Sequence, residues 1–495
     1  MPRSTLHGPH EADRTGPDDH YRRLLPSLWR PGGPTPAGVR SAPELVAALD
    51  TRPPERPWLA LVLGLLTEAD APDATPGLLP ALRDGIDRYL ALTAAAADEA
   101  DEPLLFALLY LLGHFPADRD RILAGLADVP VPTDDLARLE RELLPPDPAE
   151  PVLGRVWPSP AVWDLDEAER ALDREWMRTL PAERFTALWE YDTRSLLAYS
   201  GAKALWAVEH GRVHEPPSAA PGPGTRPGHR AGAGSAAADG VPERHRAVLR
   251  CPVCGGRLSF APAAAVCAGC GAAHPVAEGV LDLSAGVGDG DEVQKRNVPP
   301  RYETALRPAF LRLMGDNWNA AVTIADEDRY LRERVRPADG PVLDLAAGAG
   351  RWTGTLARAL GPERVIGLDL SSSMLGRLHV SLPDVLAVRA SALALPFADA
   401  TLGAVNCWNA LQAIPDPEKA ISEVGRCLRP NGTFTLFTFR PTADPIVRHF
   451  QNRVHPGVSV PETEAVHEWL ARSGMTVRNQ HCPGNFLFLT AVREY

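Results

Sequence analysis

Four of the seven cysteines stand in two Cys-x-x-Cys pairs near the middle of the chain: Cys251, Cys254, Cys267 and Cys270. Each such turn can present two thiolates, and two turns together complete a tetrahedral S4 site for zinc. Because protein would fill all four positions, the predicted zinc is structural and leaves no open position for catalysis. Free thiols and a redox role are the alternatives.

The residues around these cysteines fit the same interpretation. Gly255 and Gly271 follow the second cysteine of each pair and permit a tight turn. The segment from Cys270 to Val280 resembles the tail of zinc ribbons of the Trm112 type, which implies a small zinc-ribbon domain over residues 245–285. Within it, we expect His274 to pack in the fold and not to bind the metal.

A second constellation lies about 70 residues further along the chain. The apolar stretch Pro341–Leu345 predicts a strand, Ala346–Gly350 a glycine-containing turn, and Trp352–Leu360 a helix. Strand, turn and helix form the first βα unit of a doubly wound fold. A Cβ at Gly348 or Gly350 would keep the backbone away from a ligand, but dehydrogenases also use such a turn.

Three features distinguish the methyl donor S-adenosylmethionine (SAM) from a dinucleotide as the ligand. The third glycine of a dinucleotide fingerprint is replaced by Thr353, and SAM has no pyrophosphate that would need it. Asp344 lies inside the motif, where it could act on the amino acid portion of SAM. Asp369 ends the next predicted strand, 25 positions after Asp344, where a carboxylate can accept both ribose hydroxyls.

Four segments in order resemble the motifs of class I SAM-dependent methyltransferases: Val342–Arg351, Val365–Leu375, Val388–Phe397 and Glu423–Gly432. The resemblance covers about Leu331 to Arg493 and is greatest to the ubiquinone/menaquinone C-methyltransferases. It implies an α/β Rossmann-like domain that ends in an antiparallel hairpin, Met475–Arg493.

The resemblance also implies a set of SAM-binding residues: Asp344, Ala346, Gly348, Gly350, Asp369, Leu370, Met374, Ser391, Ala392 and Asn406. Asp344 and the two glycines would line the methionine end, and Asp369 would bind the ribose. Met374 would lie against the adenine, with Ser391 and Ala392 at its edge. The family commonly has Asp where this chain has Ser391, so the backbone of Ala392 is the better adenine contact.

Methyl transfer from a sulfonium is an in-line displacement, and a general base is needed only if the acceptor must lose a proton. No catalytic residue stands out, and His449 and Asn409 are the candidates. Trp318, Tyr330 and Trp408 are candidates for shaping the acceptor pocket. Cys407 lacks the context of a methyltransferase nucleophile and is expected to fill the core.

Several domains are predicted along the chain: a disordered segment 1–20, a helical domain 21–214, a flexible Pro/Gly/Ala-rich linker 215–244, the zinc ribbon 245–285 and the methyltransferase domain 295–495. Apolar residues at spacings of three and four, as in Pro103–Leu112, indicate helices. Tyr110–Leu123 resembles a HEAT-like repeat unit. Four tryptophans are expected to pack in the helical core: Trp163, Trp176, Trp189 and Trp206.

The net charge of −12 argues against nucleic acid or anionic lipid as a partner. The N-terminus lacks a signal-peptide pattern and the longest apolar run is too short to cross a bilayer, so we expect a cytoplasmic protein without membrane contact. The leading hypothesis is transfer of a methyl group to a small-molecule acceptor, as in bacterial specialised metabolism.

Two alternatives remain. An RNA or protein methyltransferase could use the ribbon and helical domain to hold its substrate, because ribbon and methyltransferase also occur together in rRNA guanine methyltransferases. The phrase Tyr302–Pro308 more closely resembles uncharacterised ribbon–methyltransferase proteins of plants and bacteria. The second alternative is a helical scaffold with a SAM-sensing domain that performs no catalysis.

Overall fold

The computed structural model describes residues 17–68, 77–147, 167–214, 241–287, 305–454 and 460–494. The chain forms two compact units, one of residues 1–218 with 443–455, the other of residues 219–442 with 456–495. The predictions for residues 1–16, for the linker at 215–240 and for the side chains of Trp163 and Trp176 lie outside the described residues.

The first unit is built from helices, which agrees with the predicted helical domain. In chain order they are α1 (Pro17–Leu28), α2 (Pro36–Thr51), α3 (Arg56–Thr67), α4 (Leu78–Arg83), α5 (Ile86–Asp98), α6 (Glu102–Leu112), α7 (Arg119–Leu126), α8 (Thr133–Glu142), α9 (Glu167–Arg178) and α10 (Ala182–His210). A two-residue strand pair, β1 (Trp29–Arg30) and β2 (Gly33–Pro34), follows α1. The HEAT-like repeat stays a prediction.

The core of this unit surrounds α3 and α6. Nine consecutive residues of α6, Leu104–Leu112, are buried, and so are nine of α3, Trp58–Leu66. Helices that are apolar on every side must be enclosed by others. Trp189 is buried and Trp206 is partly exposed and stacks on His210.

The start of the chain differs from the prediction of disorder up to residue 20. Helix α1 begins at Pro17, because proline suits the first helical position, where the missing N–H is not needed.

The second unit contains an eleven-stranded sheet within the described residues. Its strands are β3 (Leu258–Phe260), β4 (Ala264–Cys267), β5 (Ala273–Ala277), β6 (Val280–Asp282), β7 (Val342–Leu345), β8 (Val365–Asp369), β9 (Leu386–Arg389), β10 (Leu402–Trp408), β11 (Leu428–Phe439), β12 (Met475–His481) and β13 (Phe486–Arg493). The order is β12-β13-β11-β10-β7-β8-β9-β6-β5-β4-β3. Strands β6 to β11 pair in parallel, whereas the ribbon hairpins and the predicted C-terminal hairpin β12–β13 are antiparallel.

Short and medium helices accompany this sheet: α11 (Glu243–Arg246), α12 (Arg307–Gly315), α13 (Ile324–Arg334), α14 (Arg351–Leu360), α15 (Ser372–Ser381), α16 (Pro417–Cys427) and α18 (Thr463–Arg472). Helix α17 (Pro445–Val454) follows β11 in the chain but belongs to the helical unit. Strand–helix alternation around a parallel sheet is the Rossmann-like architecture that the sequence predicted.

The ribbon begins earlier than predicted. Residues 241–244 were expected to end a flexible linker, but Val241 is buried in the core of the second unit and α11 begins at Glu243. Because Val241 is buried in this core, the predicted linker ends before residue 241.

Of the helices described, none combines the length and the apolar character needed to cross a membrane.

Candidate functional site

The predicted SAM residues meet at one edge of the sheet. Strands β9, β8, β7 and β10 are neighbours and run in parallel, so their carboxyl ends point the same way. The turn 346–350 follows β7, Asp369 ends β8, Ser391 and Ala392 follow β9, and Asn406 lies in β10. Ligands of open α/β sheets bind at this edge.

The turn after β7 relies on left-handed backbone conformations. Ala346, Gly348 and Gly350 have φ values of 57°, 55° and 91°. A Cβ at Gly348 would meet no described atom within 4 Å, so the space there is open to a ligand. A Cβ at Gly350 would lie 3.0 Å from Leu378, so this glycine serves helix packing and the entry into α14. The expectation that Gly350 faces the ligand is therefore not supported by its surroundings.

Asp344 and Asn406 lie beneath the turn. Thr353 Oγ1 donates a hydrogen bond to Asp344 Oδ2 (2.5 Å), and Asn406 Nδ2 donates to Asp344 Oδ1 (2.7 Å). Thr435 Oγ1 in turn donates to Asn406 Oδ1 at 3.0 Å. Burial raises the pKa of Asp344 to about 6, although these hydrogen bonds act in the opposite direction. The contacts favour a role for this pair in holding the turn, and they explain why position 353 carries a hydroxyl.

Asp369 faces the turn from the next strand. Its Oδ2 accepts the backbone N–H of Gly348 (2.9 Å) and its Oδ1 accepts that of Ser371 (2.8 Å). A carboxylate has about four acceptor positions, so these two backbone contacts do not by themselves exhaust it. The partly exposed side chain thus stands where the sequence predicted a ribose contact.

The residues expected near the adenine are partly exposed: Leu370, Met374, Ser391 and Ala392. Ser371 caps α15 by accepting the N–H of Met374 at 3.4 Å, as the sequence indicated. Ser391 Oγ accepts the N–H of Leu393 at 3.2 Å, which ties this side chain to its own loop.

The tryptophans predicted to shape the acceptor pocket are buried. Trp318 and Trp408 are 1% and 2% exposed. Tyr330 is partly buried among Trp408 and Phe488, and its hydroxyl lies 3.0 Å from Thr490 Oγ1. These contacts favour a packing role, because no open surface of either tryptophan is available to an acceptor. Asn409, at the end of β10, is partly exposed.

Sequence reasoning missed an ion pair beside this aromatic group. Arg307 donates to both carboxylate oxygens of Glu327 (2.7 and 2.6 Å), and both residues are at most 1% exposed. Trp408 Nε1 donates to the same carboxylate at 2.6 Å. The Arg307 guanidinium also lies 4.6 Å from the ring centre of Trp352. Nothing in the spacing of positions 307 and 327 indicates this contact.

His449 lies in the helical unit. Its Nε2 is 2.8 Å from Glu68 Oε2 and 3.0 Å from Arg453 Nε, and its ring packs edge-on against Trp29. Burial would raise the pKa of Glu68, but hydrogen bonds from His114 and His449 and the charge of Arg453 hold it well below the ordinary value. The ring is buried and its Nε2 is engaged, so the placement favours a structural role over that of a general base.

The four predicted cysteine ligands converge. Their sulfur atoms all lie within 4.8 Å of one another, with Cys251–Cys270 at 3.8 Å and Cys254–Cys267 at 3.4 Å. A tetrahedral zinc with S at 2.3 Å requires sulfur separations of about 3.8 Å, so the group fits zinc. Backbone N–H groups of Cys270 and Gly269 lower the pKa of Cys267 and favour its thiolate, whereas the pKa values of Cys251 and Cys254 are raised.

The surroundings of the cysteines agree with the sequence analysis. Gly255 and Gly271 have the positive φ values, 70° and 75°, that the tight turns require. His274 is buried, and its Nε2 lies 3.5 Å from Cys251 Sγ. It can donate a hydrogen bond to this sulfur in support of a metal held by four cysteines.

Comparison with known proteins supports the assignment of the second unit. Residues 342–432 match a family described as a methyltransferase domain. A ubiquinone/menaquinone biosynthesis C-methyltransferase of Hahella chejuensis is 35% identical over 117 residues, which are 22% of this chain and 47% of that protein. A demethylmenaquinone methyltransferase of Shouchella clausii is 30% identical over 138 residues, 26% of this chain and 59% of that protein.

The chain spans about half the length of the curated relatives that it matches. Among solved structures, a putative methyltransferase of Bacillus halodurans is 17% identical and aligns with 34% of this chain and 100% of its own, with a TM-score of 0.31.

Proposed function

We propose that this protein is a SAM-dependent methyltransferase that acts on a small-molecule acceptor. The observation that carries the proposal is the open turn at Gly348, with the Asp369 carboxylate beside it at the carboxyl edge of the parallel sheet. The family match of residues 342–432 and the names of the curated relatives support SAM as the cofactor.

Bound SAM supplies a methyl group activated by its sulfonium centre. The chain's own residues hold this donor in place: Asp369 accepts the ribose hydroxyls, and Gly348 lets the backbone approach. Asp344, Thr353 and Asn406 fix the turn from below through their hydrogen bonds. Because alignment of donor and acceptor supplies much of the rate enhancement, a rigid edge is the main catalytic requirement.

The acceptor side of the proposal rests on charge and on the relatives. A net charge of −12 opposes the long-range attraction that a nucleic-acid substrate needs. The curated relatives are named for ubiquinone and menaquinone biosynthesis, which supports an acceptor of small-molecule size. Asn409 remains a candidate to contact it. The zinc that we propose on the four cysteines is structural.

Calorimetry with S-adenosylhomocysteine tests the cofactor site. Asp369→Ala removes a charged acceptor of two ribose hydrogen bonds, so we expect at least about a hundredfold weaker binding. Asp399→Ala is the matched control, because this aspartate is 78% exposed and lies outside the turn. Equal affinity of Asp369→Ala and wild type would contradict the site.

The acceptor class is tested with methyl-labelled SAM and an extract of the host cells. We expect the label in the small-molecule fraction. Label in RNA or protein instead would support the alternative substrate class and contradict this part of the proposal.

A further inference from the structure

The zinc-ribbon region is continuous with the sheet that carries the proposed SAM site. Strand β6 pairs in parallel with β9, and β9 pairs in parallel with β8. The register sets Asp282, Arg389 and Asp369 side by side on these three strands, each at the carboxyl end. The last strand of the ribbon therefore reaches the same edge as the proposed ribose carboxylate.

Arg389 joins the loops that follow β6 and β8. Its guanidinium donates to Leu370 O (3.1 Å), to Asp282 Oδ2 (2.9 Å) and to Val287 O (3.4 Å). The backbone N–H of Leu283 donates to Arg389 O at 2.8 Å. The Arg389 side chain thus links the backbone carbonyl of Leu370, the residue after Asp369, to the carboxylate of Asp282 in the ribbon.

Asp282 is set up for this contact. Its Oδ1 accepts the backbone N–H of Ser284 at 2.9 Å, which leaves Oδ2 directed to Arg389. Burial would raise the pKa of Asp282, but the hydrogen bonds from Ser284 and the charge of Arg389 together lower it, so the carboxylate is charged at neutral pH. The two side chains are 30% and 18% exposed, which limits but does not remove their attraction.

The position of Leu370 matters for the cofactor. Leu370 directly follows Asp369, whose carboxylate is held by the N–H groups of Gly348 and Ser371. The Leu370 carbonyl and the Ser371 N–H belong to the same peptide group, so movement of this carbonyl would displace one of the two contacts to Asp369. Small displacements of a positioning group weaken binding measurably, because the hydrogen bonds to the ligand depend on distance and direction.

We propose that Asp282 of the ribbon is a positioning residue for the adenosine end of SAM and acts through Arg389. The inference rests on the proposed function, since it concerns the same cofactor site. It gives the ribbon a role in cofactor binding that does not require the ribbon to touch the acceptor.

The test measures dissociation constants of the full chain for S-adenosylhomocysteine and for adenosine. For Asp282→Asn we expect both constants to rise by about three- to fivefold, as for loss of a partly exposed ion pair. Asp399→Asn is the matched control, because it removes one carboxylate from the ion pair with Arg426, away from this network, and should leave both constants unchanged. In turnover, the KM for SAM should rise with kcat unchanged.

A second variant tests the route. Arg389→Lys keeps the charge but cannot reach Leu370 O, Asp282 Oδ2 and Val287 O together. It should therefore weaken the binding of both ligands at least as much as Asp282→Asn does. The double variant should be no weaker than Arg389→Lys alone, because both changes interrupt one network. If Asp282→Asn fails to fold, unchanged constants in Arg389→Lys relative to the control would still overturn the inference.

The outcomes are distinct. Unchanged constants in Asp282→Asn, weakening of S-adenosylhomocysteine without weakening of adenosine, or additive effects in the double variant would each overturn the inference. Failure of the wild-type chain to bind S-adenosylhomocysteine would instead overturn the proposed function.

Discussion

The buried ion pair between Arg307 and Glu327 permits a sharp test of how the second unit is held together. Glu327 accepts two hydrogen bonds from Arg307 and one from Trp408 Nε1, and it is fully buried. Replacement of Glu327 by alanine leaves the guanidinium without its counter-ion and the indole N–H without its acceptor.

The magnitude follows from these contacts. A charge left unpaired in the interior costs about 3–5 kcal/mol, and an orphaned N–H adds about 1 kcal/mol. We therefore expect Glu327→Ala to reduce the free energy of unfolding of this unit by about 4–6 kcal/mol. Glu327→Gln should cost less, because the amide oxygen can still accept a hydrogen bond.

Urea unfolding of the full chain, followed by tryptophan fluorescence, measures the loss. The relevant transition is the one that shifts to higher urea when S-adenosylhomocysteine is added, because a ligand stabilises only the unit that binds it. The double variant Arg307→Met, Glu327→Leu is the control and should recover most of the stability, since no charge stays buried.

A loss below about 1 kcal/mol in Glu327→Ala would refute this reasoning, because it would mean that Arg307 reaches solvent at little cost. A double variant as unstable as Glu327→Ala would likewise show that packing, and not the unpaired charge, determines the effect.

Three further predictions concern the turn and the metal. Gly348→Ala should weaken S-adenosylhomocysteine binding at least tenfold in calorimetry, while its backbone strain should cost only about 1 kcal/mol of stability. Gly350→Ala, where a leucine side chain is 3.0 Å away, should mainly lower the urea midpoint. Weaker binding in Gly350→Ala together with a lower urea midpoint in Gly348→Ala would contradict the site. Because the folded-state pKa of Asp344 is raised to about 6, its contribution to stability is present below about pH 4 and is lost as the pH rises through 6. Between pH 4 and 7, the free energy of unfolding measured in urea should fall by up to about 3 kcal/mol less in Asp344→Asn than in the wild type. An identical fall in both proteins would exclude this contribution of Asp344. Metal analysis should find about one zinc per chain, lost in Cys251→Ser with Cys254→Ser; absence of zinc from the wild type would exclude the S4 site.

The local parts of the site were predictable from the sequence. The strand, turn and helix around Gly348 begin and end within about one residue of the predicted bounds, because apolar runs and glycines act over a few positions. The convergence of the four cysteines followed in the same way from two short turns. The position of Asp369 was also predictable, since parallel strands bring their carboxyl ends together.

The long-range contacts were not predictable. No pattern in a three-residue strand such as Val280–Asp282 indicates that it pairs with β9, and no spacing relates Arg307 to Glu327. Trp408 was assigned to the acceptor pocket because it ends β10, but its indole N–H faces the buried Glu327. In each case the partner comes from a distant part of the chain, where a single sequence carries no signal.

The placement of His449 follows from the same limitation and changes how the domains are drawn. Helix α17 emerges from the methyltransferase part of the sequence, yet Phe450 packs edge-on against Tyr110, and Tyr191 donates a hydrogen bond to Val454 O at 2.5 Å. A Cβ at Gly201 would lie 2.4 Å from Phe450, so α10 leaves space for this helix. The helical unit is thus completed by residues 443–455, and a cut of the chain between residues 218 and 241 would deprive it of a buried helix. The segment after β11 is therefore part of the helical unit, although it follows a strand of the sheet in the sequence.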